Sequence, residues 1–87
     1  MNENYLKKAV KLFEEKKYND AKVICQKILR DNPKEPKTLL LITSIAIKLN
    51  KINKALEIIN YTIKLFPSIP EAFYNRAYIF YNEKKFD

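Results

Sequence analysis

The chain contains no glycine, no histidine, a single cysteine and no apolar run of membrane-spanning length. Each absence removes a class of protein. Hairpin turns of the primed types depend on glycine and asparagine, so a glycine-free chain is a poor candidate for an all-β fold. A glycine-rich phosphate loop is excluded on the same ground. Without histidine, the commonest general base and metal ligand is missing. Cys25 alone cannot form an internal disulfide, which fits a reducing compartment and points to the cytoplasm. The longest apolar run, Leu39 to Ile47, includes Thr43 and Ser44 and falls far short of the roughly 20 residues a membrane span needs. The first ten residues, MNENYLKKAV, lack the apolar segment of a secretory signal.

What is present suits one small domain, residues 1–87, able to build a core. The hydrophobic fraction is 47% and the charged fraction 31%, which does not describe a disordered chain. The net charge of +7 raises the question of an acidic or nucleic-acid partner. Arg30 and Arg76 are the only arginines, and Lys, Asn, Ile and Tyr are abundant together. AT-rich coding produces that composition without any selected basic surface.

The stretch Pro36 to Leu49 organises the rest. Leu39, Leu40, Leu41, Ile42, Ile45, Ala46, Ile47 and Leu49 go round every side of a helix. A helix that is apolar all round must be covered on several faces. Before it, Tyr5, Leu6, Ala9, Val10, Leu12 and Phe13 recur at helical spacing and predict a helix over Asn2 to Glu15. Lys16 and Lys17 make a turn, and Asn19 is a candidate cap for a second helix to Asp31. Ala21, Ile24, Cys25, Ile28 and Leu29 form its inner face, and Pro33 stops it. Pro36 suits the first turn of the buried helix, Asn50 a left-handed stop, and Asn53 a second cap. A fourth helix carries Ala55, Leu56, Ile58, Ile59, Ile63 and Leu65 up to Pro67. A fifth runs from Glu71 to about Glu83 after Pro70.

The spacings repeat. Asn19 and Asn53, Ala21 and Ala55, Pro33 and Pro67, and Pro36 and Pro70 each lie 34 residues apart, as do Tyr5, Leu39 and Phe73 in turn. A fixed period of helix, turn and helix is a solenoid signature. The bulky slots hold Tyr5, Leu39 and Phe73. The small slots hold Ala9, Thr43 and Ala77, and the next aromatic slots hold Leu12, Ala46 and Phe80. In the second helices, Ala21 and Ala55 are followed by Cys25 and Ile59, and then by the closing prolines. On these residues the chain resembles the tetratricopeptide repeat family over its whole length, as two and a half repeats (2–35, 36–69 and 70–87). The resemblance implies an all-α fold: a right-handed α-solenoid of about five helices in antiparallel pairs.

The departures are specific. Lys8 and Arg76 stand in a leucine slot, and Lys16, Asn50 and Lys84 replace the turn glycine, where a left-handed lysine is strained. The chain reaches Phe86-Asp87 where the family begins a further second helix. The fifth helix carries Phe73, Tyr74, Ala77, Tyr78, Ile79, Phe80 and Tyr81, too apolar for a terminal cap. A piece of a longer array, or an end covered by another chain, is the expectation, with self-association through Glu71 to Glu83.

No catalytic constellation assembles. Cys25 lies at an inward position, Ser44 and Ser68 have no partners by spacing, and neither enzyme activity, cofactor nor metal is expected. A surface remains. In the resembled family the first helices of successive repeats line a concave groove that holds a peptide or helix of a partner protein. That register selects Leu6, Val10 and Phe13, then Leu40, Leu41, Ser44 and Ile47, then Tyr74, Asn75, Tyr78 and Tyr81. The result is an apolar, tyrosine-rich groove for an amphipathic or apolar peptide, favoured over packing of Tyr74, Tyr78 and Tyr81 against a following helix because Leu40, Leu41 and Ile47 extend the same stripe. A family subgroup grips carboxylate tails of chaperones. Its positions here hold Leu6, Val10, Leu41, Glu71 and Asn75, so that specificity is not expected. RNA binding through lysines is the alternative, disfavoured by the scattered charges, and a self-assembling structural unit is a third reading.

Overall fold

The computed structural model describes residues 2–85. Five α-helices follow one another: α1 (Asn2–Glu14), α2 (Tyr18–Asp31), α3 (Pro36–Lys48), α4 (Ile52–Leu65) and α5 (Pro70–Lys85). Among the described residues there is no strand. Short connections leave successive helices as antiparallel neighbours. The odd helices form one layer, with α3 between α1 and α5, and α2 and α4 lie on the other side. The smallest dimension, 18 Å, accommodates two layers of helices whose axes lie about 8–10 Å apart.

The all-round apolarity of α3 has a direct structural counterpart. It packs against α1, α2, α4 and α5, and no other described helix touches all the rest. Within α3 only Lys37 and Lys48 are exposed. Two buried clusters meet on it. Ile45 joins Ala9, Ala21 and Cys25 in one, and Ala46 joins Ala55, Ile59, Ala72 and Ile79 in the other. Small side chains at 9, 21, 46, 55 and 72 let the backbones approach, and the larger Cys25, Ile28, Ile59 and Ile79 fill the space between. The buried hydroxyls are satisfied locally. Thr43 Oγ1 donates to the Leu39 carbonyl and Thr62 Oγ1 to the Ile58 carbonyl, each at 2.8 Å.

The 34-residue period reappears in the turns. Lys17 N–H donates to the Leu12 carbonyl and Lys51 N–H to the Ala46 carbonyl, both at 2.8 Å. Lys16 N–H donates to Phe13 and Asn50 N–H to Ile47, both at 3.0 Å. Both turns are therefore Schellman motifs, with Lys16 and Asn50 left-handed at φ 64° and 60°. Asparagine tolerates that conformation; lysine is strained in it.

Three expectations are corrected here. Asn19 and Asn53 do not cap their helices. Each Schellman turn delivers the chain straight into the next helix, so Lys17 and Lys51 take the cap position without a side-chain cap bond. Asn19 and Asn53 then lie inside the first turn, exposed. The turn expected at Lys84 is absent because α5 continues through it to Lys85. The continuation expected at Phe86-Asp87 lies outside the described residues. A cap the sequence reading missed holds α3: Glu35 Oε1 accepts from Thr38 N–H at 3.0 Å and Thr38 Oγ1 at 2.7 Å, and Oε2 accepts from Lys37 N–H at 3.1 Å.

The two charged residues in leucine slots find ordinary solutions. Lys8 is exposed on α1. Arg76 donates to Asn60 Oδ1 at 3.2 Å across the α4–α5 contact, and its guanidinium lies 5.6 Å from the Phe73 ring centre.

Candidate functional groove

The odd-helix layer carries every residue the sequence reading assigned to a groove. Phe13 of α1, Ser44 and Ile47 of α3, and Tyr74, Asn75 and Tyr78 of α5 converge on one hollow of about 180 Å³, with Lys48 at its edge. Three helices that are far apart in sequence thus supply one surface. It forms because α3 sits between α1 and α5 and its apolar residues are not exhausted by the two cores.

Phe13 is held from below: its ring meets Tyr18 edge to face, with centroids 5.4 Å apart, so α2 fixes its orientation. Ser44 lines the hollow and turns its hydroxyl back to donate to the Leu40 carbonyl at 3.3 Å. Tyr74 is 72% exposed and Tyr78 44% exposed, although both are large aromatic side chains. Asn75 is half-buried beside them.

The other assigned residues lie as follows. Leu6 and Val10 line a second, larger hollow of about 650 Å³ between α1 and the start of α3. Lys7, Lys11, Glu14 and Lys37 complete it, four charged residues the sequence reading left out of the groove. Their signal was available, since 7, 11 and 14 share a helix face with 10. Leu40 packs, half-buried, against the α4–α5 cluster, and Leu41 against the α1–α2 cluster. Ile47 serves both the α4–α5 cluster and the hollow. Tyr81 is exposed at the end of α5 and lines neither hollow.

Cys25 is fully buried between α1, α2 and α3, and burial pushes its thiol up from 9.0 to about 12, so the reactive thiolate is suppressed. Among the described residues, no group of three or more His, Cys, Asp or Glu side chains gathers where it could hold a metal ion. Among them, too, no helix is long and apolar enough to cross a membrane.

A family model described as "Tetratricopeptide repeat" matches residues 12–73. No curated protein and no solved structure matches the chain.

Proposed function

Because the chain belongs to the tetratricopeptide repeat family, a non-catalytic module that generally mediates protein–protein interaction, we propose that its odd-helix groove binds a peptide or helix of a partner protein. The observation that carries this reading is the convergence of Phe13, Ser44, Ile47, Tyr74 and Tyr78 from three helices on one hollow, with both tyrosines left open to solvent. Tyrosine offers a large contact area at low ordering cost and is enriched among residues that dominate interface energies. The half-buried Phe13 and Ile47, which line the hollow with the tyrosines, favour an apolar or amphipathic segment over a charged one. The lone, buried cysteine is in keeping with a reducing compartment such as the cytoplasm.

The test is selection of peptides from a displayed library on the immobilised chain, followed by titration. Selected peptides should be rich in apolar side chains. Binding should weaken about tenfold or more in a Tyr74→Ser, Tyr78→Ser double variant, the size expected for loss of interface anchors. Equal binding by wild type and variant would refute the groove assignment.

A second reading concerns a different face of α5. Ala9 and Thr43 are fully buried, and Leu12 and Ala46 pack in the cores. The residues 34 positions on, Ala77 and Phe80, are exposed together with Phe73. This face has the composition of an internal interface, and we infer that copies of the chain associate through it.

A further inference from the structure

We propose that the opposite side of the molecule carries a second docking site, a furrow between α2 and α4 that takes an acidic amphipathic helix of a partner protein. Among the described residues, α2 and α4 both pack on α3 but not on each other. The gap between them holds two apolar hollows of about 390 and 320 Å³, which share Ile42, Lys54 and Ile58. The floor runs from Leu39 of α3 to Leu49 at its C-terminal cap, about 15 Å at roughly 1.5 Å per residue. That length matches three turns of helix, whose apolar residues at i, i+3, i+4 and i+7 would lie over Ile42, Leu49 and Ile58, all half-buried.

Charge selects the kind of helix. Lys22 of α2 and Lys51 and Lys54 around the start of α4 rim the furrow, against Glu57 as its one acidic residue. Glu57 lies 3.9 Å from Lys54, in a pair whose side chains are both more than half exposed and which therefore contributes little. Among the described residues, no ion pair forms at Lys22 or Lys51. An apolar floor under a lysine rim complements a segment with leucine-like residues on one stripe and carboxylates on its flanks. A sugar–phosphate strand would satisfy the rim and leave the floor uncovered.

The probe is a 14-residue peptide with leucines at i, i+3, i+4 and i+7 and glutamates on the flanking positions, titrated into the isotope-labelled full chain. The control peptide carries lysines in place of the glutamates. The expected result is saturable amide shifts at Ile42, Leu49 and Ile58 with the acidic peptide, none at Tyr74 or Tyr78, and no binding of the control. A Lys22→Glu, Lys51→Glu variant should bind the acidic peptide about tenfold more weakly or worse. Equal binding of the two peptides, shifts confined to the odd-helix groove, or no saturable shift would each overturn the proposal. So would an oligouridylate that moves the furrow amides when the acidic peptide does not, which would make the rim a phosphate surface.

Discussion

Ile45 and Ala46 are adjacent in the chain yet belong to different cores: Ile45 is buried with Ala9, Ala21 and Cys25, and Ala46 with Ala55, Ile59, Ala72 and Ile79. One helix therefore joins the two halves of the molecule through two different faces, since consecutive helical residues point about 100° apart. Ile45→Ala should lower stability by about 2–5 kcal/mol, the range for truncating a fully buried aliphatic side chain. Urea unfolding followed by circular dichroism measures it. A loss below about 1 kcal/mol would mean that α3 does not bear on the first core as described.

The two left-handed turn residues should respond unequally to glycine. Lys16 holds φ 64° with a side chain that disfavours it, whereas asparagine at 50 is among the residues that tolerate that region. Lys16→Gly should raise stability by about 0.5–1 kcal/mol, and Asn50→Gly by less. Thermal melts of the two variants decide the order.

Glu35 and Thr38 form a unit. The Glu35 carboxylate accepts both the backbone N–H and the hydroxyl of Thr38, and Thr38 is fully buried. Glu35→Ala removes a helix cap and strands the hydroxyl, and should destabilise by about 1–3 kcal/mol. In a Thr38→Val background the same change should do less damage. A double-mutant cycle with no coupling would show the cap and the hydroxyl to be independent.

Cys25 should resist thiol reagents in the native chain at pH 8 and react once the chain is unfolded. Its pKa is raised from 9.0 to about 12 by burial, so the unfolded thiol ionises first as pH rises. Above pH 9 the unfolded state then binds fewer protons than the native state, and this group's contribution to stability falls between pH 9 and about 12. Cys25→Ala should flatten that part of the pH–stability curve. An unchanged slope would show that the thiol is not its source.

Self-association through α5 predicts concentration-dependent sedimentation that Phe73→Glu, Phe80→Glu abolishes, since both rings are exposed and their loss leaves the cores intact. Concentration-independent sedimentation of the wild-type chain as a monomer would rule it out.

The sequence made the hub and the period legible because both are written in side-chain identity. Apolar residues on every side of α3 require neighbours on every side, and paired alanines and prolines at a spacing of 34 require repeated units. The caps were not legible because the backbone makes them. Lys17 ends one turn and starts the next helix through its N–H and carbonyl, so its side chain carries no signal, while Asn19 carries one that the turn geometry leaves unused. The Glu35 cap escaped because glutamate is not among the favoured capping residues. In the groove, periodicity alone could not divide α3's apolar residues between cores and surface. Leu40 and Leu41 lean into the two cores, and Ser44 and Ile47 reach the hollow. Packing against α1 and α5, known only from the fold, makes that division.

The most direct test of partner binding in the odd-helix groove is photo-crosslinking in cells from a benzophenone side chain placed at Tyr78, with Val23 as the matched control. The two positions are similarly exposed, at 44% and 48%, but Val23 lies on α2 and lines no described hollow. Partner binding in the groove predicts a discrete protein adduct from position 78, identified by mass spectrometry, that is absent from position 23 and lost when Tyr74 is changed to serine. The same adducts from both positions, or none from position 78, would contradict it.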